Sequence, residues 1–540
     1  MISSPIHKKS TRRDSSFFLL SGILLFALLA QSCQEGESKN EYTLLAEGYD
    51  QHVELQWSKL EGVDVYQVMA SSDGKNYELR AEVNDTIYLD FAEDLKRHGL
   101  IHYSILAQKE DKAIEIGKTD VQTRKMSDEE LMDMIQQYTF RYFWHGAEPN
   151  SGMAPERIHI DGEYENNDAH IVTTGGTGFG IFGLITGIER GWISEEQGLK
   201  RFEKIVGFLE KADRFHGIWP HWLDGKTGKT KAFSEKDDGA DLVESAFLIQ
   251  GLLALREYYS DGSAPQKAVA DRIQKLWETM EWDWFTQGGK NVLYWHWSPK
   301  HEWAMNFPLE GYNECLITYV LAAASPTHPI GPEAYHEGWA RNGKINNPVQ
   351  AYGFDLQLLH NGSEKMGGPL FWAHYSYLGL NPKGLKDRYA DYWEENRNQT
   401  LINRAWAIEN SGGFKGYGED LWGLTASYSI NFYNAHHPGN DNGVISPTAA
   451  ISSIPYTPEE SMRVLKNLYY NYGEKVLGRY GFYDAMSPEH GFYPQRYLAI
   501  DQGPMVAMIE NHRTGLGWNL FMQASDIQNG LKILGFEQGN

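Results

Sequence analysis

At 540 residues and a formal net charge of −23, the chain is too acidic to hold nucleic acid or an anionic membrane electrostatically, and a neutral ligand suits it better than a polyanion. Apolar residues at 41% and charged residues at 22% are ordinary for a globular protein long enough for more than one domain. Aromatics stand out: 17 Trp and 31 Tyr exceed what core filling needs, and their flat, polar-tipped rings suit a wet amphipathic ligand such as a sugar.

In chain order, the first element is an address. Lys8, Lys9, Arg12 and Arg13 precede an apolar run from Phe17 to Ala30, which is too short to span a membrane. The run ends in Leu29-Ala-Gln-Ser-Cys33, similar to a bacterial lipobox, where the cysteine is lipidated and becomes the new N-terminus. A secretory cut near Ser32 is the alternative. Gln34-Glu-Gly-Glu-Ser38 resembles the export signal of surface lipoproteins in Bacteroidetes-type bacteria. Residues 1–33 then form a signal peptide and 34–41 a linker, with Cys33 the lipidation site. The expected location is the outer membrane, facing the periplasm or the cell surface, with the lipid as sole membrane contact and neighbouring glycan-uptake proteins as partners. Cys315 is the only other cysteine, so no disulfide is expected within the fold.

Residues 42–125 alternate with period two. Val53-Glu-Leu-Gln-Trp57, Val65-Tyr-Gln-Val-Met69, Tyr88, Ile101–Leu106 and the 113–119 stretch read as short strands, and Ser71-Ser-Asp-Gly-Lys75 as a turn. Trp57 early and Tyr103 late resemble a fibronectin type III sandwich, expected as a spacer between anchor and catalytic domain.

From residue 126 to 540 the period is helical. Ser127-Asp-Glu-Glu130 predicts a capping box opening a helix through Trp144, and Ser194-Glu-Glu-Gln197 another ending before Asp213. Further helices are expected near 175–190, 239–259, 264–281, 312–324, 367–378, 386–398, 420–427, 447–454, 458–473 and 504–523. About twelve helices, separated by long Gly- and aromatic-rich loops, suggest an all-α (α/α)6 barrel with functional loops at one mouth, preceded by the small all-β sandwich.

Carboxylates carry the chemistry. Asp237-Asp-Gly-Ala-Asp-Leu-Val-Glu244 opens an apolar helix with Asp241 and Glu244 at i and i+3, on one face. Glu314 follows in a second apolar segment, and Trp219, His221, Trp222, Trp295 and Trp297 crowd the sequence between and around them. Buried acids walled by aromatics gain the raised pKa that glycoside hydrolysis asks of its general acid. Shared-face neighbours lie too close for inversion, which needs carboxyls about 6.5–9.5 Å apart, so Glu314 is expected as general acid, with Asp241 and Glu244 placing substrate or water. For each of the three the structural alternative is a buried helix cap or loop anchor. Asp501 is a fourth acid, expected just ahead of a helix. Asp161, Glu163, Glu165 and Asp168 read as a solvated acidic loop. Trp219, His221, Trp222, Trp295, Trp297, Tyr312, Trp422, Asp501, Gln502 and Arg513 are the candidate substrate contacts.

There is no His-Glu-x-x-His, no cysteine cluster and no Gly-x-Ser-x-Gly, so no metal and no cofactor are expected. His436-His437 is an isolated pair. The glycines at 175, 176, 178 and 180 lack the Lys-Ser/Thr of a phosphate loop and are expected to serve close helix packing.

Several segments together resemble the glycoamylase-like domain of glycoside hydrolase family 144. They are Arg141–Asn150, Val172–Gly180, Arg214–Trp222, Asp238–Glu244, Trp282–Gln287, Tyr294–Pro299, Gly311–Glu314, Ser325–Pro329, Gly368–Phe371, Trp422–Ala426 and Ala499–Pro504. The resemblance spans about residues 128–537 and implies an (α/α)6 barrel that hydrolyses β-1,2-glucan or its oligosaccharides with inversion, endo or exo with release of sophorose. The alternatives are a non-catalytic glycan-capture lipoprotein and another enzyme on the same barrel, such as a polysaccharide lyase. The acid-rich constellation and the net charge speak against a lyase, and retention of all three acids against loss of catalysis.

Overall fold

The computed structural model describes residues 42–92, 98–109, 112–162, 169–363 and 365–539. The signal peptide, the linker up to Glu41, Cys33, and Glu163, Glu165 and Asp168 of the acidic loop lie outside the described residues. Leu44–Asn540 clusters as one compact unit. No helix among the described residues is long and apolar enough to cross a membrane.

Its first part follows the alternation. Strands β1 (Leu44–Gly48), β2 (Val53–Trp57), β3 (Val65–Ser71), β4 (Glu78–Val83), β5 (Ile87–Asp90), β6 (Leu100–Lys109) and β7 (Lys112–Gln122) form two antiparallel sheets, ordered β1-β2-β5 and β4-β3-β6-β7. Tyr66, Val68 and Ala70 point inward from β3 and pair in register with Ala107, Ile105 and Tyr103 of β6, also buried. Trp57 meets Tyr66 edge-on, ring centroids 5.6 Å apart. The 71–75 turn forms because Asp73 accepts from the Lys75 and Asn76 N–H groups.

The second part holds α1 (Asp128–Trp144), α2 (Thr174–Glu189), α3 (Glu195–Leu209), α4 (Leu242–Tyr258), α5 (Ala264–Glu278), α6 (Leu316–Ala324), α7 (Tyr392–Glu409), α8 (Pro447–Ser452), α9 (Pro458–Val476), α10 (Ala499–Arg513), α11 (Leu516–Met522) and α12 (Ser525–Ile533). Both expected capping boxes form, Ser127 with Glu130 and Ser194 with Gln197. The helices sort into two layers. α2, α4, α6, α8 and α10 are buried nearly all round, whereas α3, α5, α9 and α12 bury one stripe. α2 lies between α4 and α10. Glycine lets α2 and α4 cross closely: a Cβ on Gly178 would stand 2.1 Å from the Phe247 carbonyl oxygen, and one on Gly251 2.2 Å from that of Gly178.

Several boundaries differ from expectation. Residues 367–378 give only two 3-10 turns, Leu370–Ala373 and Tyr375–Tyr377, interrupted at His374, whose ring is held by Ser453. Residues 420–427 are not helical: Gly423 has φ +129°, and Ala426–Ser429 is a strand paired with Phe432–Ala435. The 504–523 helix begins earlier and divides at left-handed Gly515 into α10 and α11, with Pro504 inside α10. α7 starts at Tyr392 behind its cap Asp391, and α12 had no counterpart in the expected set.

The sandwich docks on α1 and α9 through a buried polar network. Glu54 accepts from Arg141 at 2.7 and 3.2 Å and from the Tyr138 hydroxyl at 2.6 Å, and His52 bridges Tyr138 and Tyr469. Burial alone would raise the Glu54 pKa; Arg141 outweighs it and holds the carboxyl below its ordinary value.

Candidate active site

Three inner helices start at one cavity of about 380 Å³. Glu244 and Phe247 face it from the head of α4, Glu314 from just before α6, and Leu498 and Ile500 from the start of α10. The remaining walls include Glu156, Arg157, His221, Trp222 and Trp295 from loops and short strands, Phe371 and Tyr375 from the 3-10 turns, and Tyr428, Phe432 and Tyr433 from the 426–435 hairpin. A second cavity of about 390 Å³ shares Trp295, Glu314 and Phe371 with the first. Glu314 therefore stands at the junction of a two-part cleft.

The acids differ in environment. Burial raises the Glu314 pKa to about 7; its own backbone N–H opposes the rise, Asp241 adds to it, and no cation among the described residues offsets it. Glu244 is also raised, chiefly by burial, with His221 opposing and Asp241 adding. Its Oε2 accepts from the Gly175 N–H at 2.9 Å, and a Cβ on Gly175 would lie 2.3 Å from that oxygen, so a side chain there would displace the Glu244 carboxylate. A helix N-terminus favours the anion, but burial wins at both acids.

Asp241 does not line the cavity, which corrects the expectation that it and Glu244 face one space. As N-cap of α4 it is fully buried, and its Oδ1 turns back to accept from the Val243 N–H (3.1 Å), the Glu244 N–H (2.9 Å) and the Trp295 indole N–H (2.8 Å). Oδ2 lies 2.9 Å from His221 Nδ1. Asp241 thus aims His221 and Trp295 at the cavity. Burial works against its charge, but His221 keeps its pKa low. Burial likewise lowers the His221 pKa, yet Glu244 and Asp241 outweigh it and raise it to about 10.

Asp501 lies within the first turn of α10 rather than ahead of a helix, and is buried beside Asp484. Burial raises both carboxyls, and Asp484 raises Asp501 further. Asp484 accepts from the Tyr428 N–H at 2.6 Å, so the pair sits behind the hairpin wall. His221, Asp237 and Asp241 each offer one ligand atom within 4.8 Å of the others, and His296 Nε2 is 3.4 Å from Asp237 Oδ2. This group could hold a cation, a possibility that no sequence motif signals.

Of the expected substrate contacts, His221, Trp222 and Trp295 line the cavity. Others serve the fold. Trp219 is fully buried, donating to the Leu209 carbonyl beneath Arg214. Trp422 packs in a core with Leu421, Ile445 and Ala449. Tyr312 is buried with its hydroxyl on Asn396. Gln502 donates to the Phe482 carbonyl at 2.8 Å, and Arg513, at the opposite end of α10, binds Asp133 and Gln136. Trp297 stands edge-on to His216, outside the cavity. Large aromatics satisfy a core as well as a sugar, and sequence proximity to an acid does not distinguish the two.

Glu156, Arg157, Tyr375, Tyr428, Phe432 and Tyr433 were not anticipated. Glu156 and Arg157 carry no local signal. Tyr428-Ser-Ile-Asn-Phe-Tyr433 does: aromatics flank an Asn that favours a tight turn.

Comparison with known proteins sets the chain beside enzymes that act on β-1,2-glucans. The family model "Glycoamylase" matches residues 306–525. The exo β-1,2-glucooligosaccharide sophorohydrolase (non-reducing end) of Parabacteroides distasonis is 41% identical over 512 residues, covering 90% of this chain and 70% of the relative. An endo-β-1,2-glucanase from Chitinophaga pinensis, solved with sophorotriose and glucose, is 59% identical with a TM-score of 0.76, over 76% of this chain and 99% of that one. A β-1,2-glucanase structure from Parabacteroides distasonis is 40% identical with a TM-score of 0.84, over 91% of this chain and 72% of that one.

Proposed function

The chain belongs to the glycoamylase-like family of β-1,2-glucan hydrolases, the glycoside hydrolase family 144 type, and from that premise we propose that it hydrolyses β-1,2-linked glucan with Glu314 as general acid. The observation that carries the assignment is the place of Glu314: a half-buried carboxyl with no cation against it among the described residues, at the junction of two cavities walled by aromatic rings. With a pKa near 7 it stays protonated at mildly acidic pH yet can still give up its proton to a leaving oxygen.

In this reading the cleaved bond lies over Glu314, with sugar in both cavities. Glu314 protonates the departing glycosidic oxygen, and water attacks the anomeric carbon from the opposite face, giving inversion. The group that takes the water's proton is drawn from Glu244 and Glu156 on the cavity wall and the Asp484–Asp501 pair behind it. Asp241 acts as a positioning residue through His221 and Trp295. Room on both sides of Glu314 favours endo cleavage, and the Chitinophaga relative is an endo enzyme.

For the architecture we read an (α/α)6 barrel, with α2, α4, α6, the 370–377 turns, α8 and α10 inside and α1, α3, α5, α12, α7 and α9 outside. We further propose an outer-membrane lipoprotein anchored at Cys33; Cys33→Ser would then release the enzyme into the soluble fraction.

The decisive experiment pairs Glu314→Gln with product analysis. The variant should lose about 10²- to 10⁴-fold in kcat while still binding β-1,2-glucan. Hydrolysis unaffected by the change would remove Glu314 from its role. A ladder of oligosaccharides from the wild type means endo action, and a lone disaccharide means exo.

A further inference from the structure

Phe432, the first residue of the second hairpin strand, combines an exposed ring with a strained backbone. At 82% it is the most exposed large hydrophobic side chain among the described residues. Its φ of +73° lies in the left-handed region, where a Cβ brings strain. It follows a two-residue turn, Ile430-Asn431, and glycine or asparagine in its place would relieve the strain. Strain kept together with an exposed aromatic points to use.

The use follows from what the ring borders. Phe432 and Tyr428 line both the catalytic cavity and a third cavity of about 630 Å³, which runs past Tyr493 to Arg496. There the Arg496 guanidinium lies 5.3 Å from the Tyr428 ring and donates to Asp161 at 2.9 Å. A flat ring at the divide and a charged hydrogen-bonding pair beyond it match a pyranose, which offers C–H faces to aromatics and hydroxyls to polar groups.

We propose that this third cavity is an outer binding site for glucosyl units of the β-1,2-glucan chain and that Phe432 is the stacking platform dividing it from the catalytic cavity. The proposal rests on the glucan-hydrolase reading above. It makes chain length a determinant of efficiency: substrates long enough to pass Phe432 gain contacts that the shortest cleavable oligosaccharides lack.

The test compares kcat/KM for long β-1,2-glucan with that for the shortest β-1,2-gluco-oligosaccharide the wild type cleaves. Phe432→Ala should lower the long-to-short ratio about 2- to 10-fold, mainly through KM on the long chain, and Phe432→Tyr should restore it. Phe432→Gly should lose the preference yet raise Tm, because it relieves the positive φ. An unchanged ratio in Phe432→Ala, or no restoration by Phe432→Tyr, overturns the proposal while leaving the enzyme assignment intact. Failure of the wild type to cleave β-1,2-glucan at all overturns the enzyme assignment instead.

Discussion

Glu54 and Glu314 are both carboxyls taken largely out of water, and they are treated in opposite ways. Glu54, between the sandwich and α1, accepts from Arg141 and Tyr138 and stays ionised below its usual range. Glu314, in the cleft, meets no cation among the described residues and is raised to about 7. Burial pushes in the same direction at both sites; the partner decides the outcome. A fully paired charge fastens two regions together, and an unpaired acid keeps a proton available for transfer.

The contrast can be broken from either side. Because removing one member of a buried pair leaves the other uncompensated, Arg141→Ala should destabilise the fold by about 3–5 kcal/mol, read by chemical denaturation, while the folded fraction keeps its kcat. Glu314→Gln should do the reverse, abolishing turnover with Tm unchanged or raised. Comparable losses of stability in the two variants would erase the distinction.

A smaller effect is expected at Asp241, which touches the chemistry only through His221 and Trp295. Asp241→Asn should lower kcat about 10- to 100-fold and move the His221 pKa down, since one of the three anions that raise it is gone. NMR titration of His221 distinguishes this from a general loss of structure, which would leave no defined resonance.

The subtlest difference is in the sign of pH dependence. The folded pKa of Glu54 is depressed, so its contribution to stability is present above the unfolded carboxylate range and is lost as pH falls through the folded value. The folded pKa of Glu314 is raised, so its contribution is present below the unfolded value of about 4.5 and is lost as pH rises through about 7. Stability curves of Glu54→Gln and Glu314→Gln against wild type should therefore diverge at opposite ends of the pH range.

Much of this was legible in the sequence where a local rule governs. Ser127 and Ser194 cap as their spacing dictates, and β3 alternates as read, whereas β2 buries Glu54 along with Val53 and Leu55 because its outer face meets Arg141 and Tyr138 of α1. Glu244 and Glu314 announce themselves as acids inside apolar helix starts, and both reach the cavity. Asp241 looked the same, but its carboxylate was claimed by the first turn of α4, a competition that turns on backbone geometry. Trp219 and Trp422 show the limit for aromatics: burial is a property of the packed whole. Glu156 and Tyr433 reach the site from segments nearly 280 residues apart, so nothing local could join them.

The most direct measurement of the central claim is the pH dependence of kcat on β-1,2-glucan in wild type and in Glu314→Gln. In the wild type kcat should fall as pH rises through about 7, by the loss of one proton, and the residual activity of the variant should lack that limb. The same limb in both proteins would show that another group donates the proton, contradicting the assignment of Glu314.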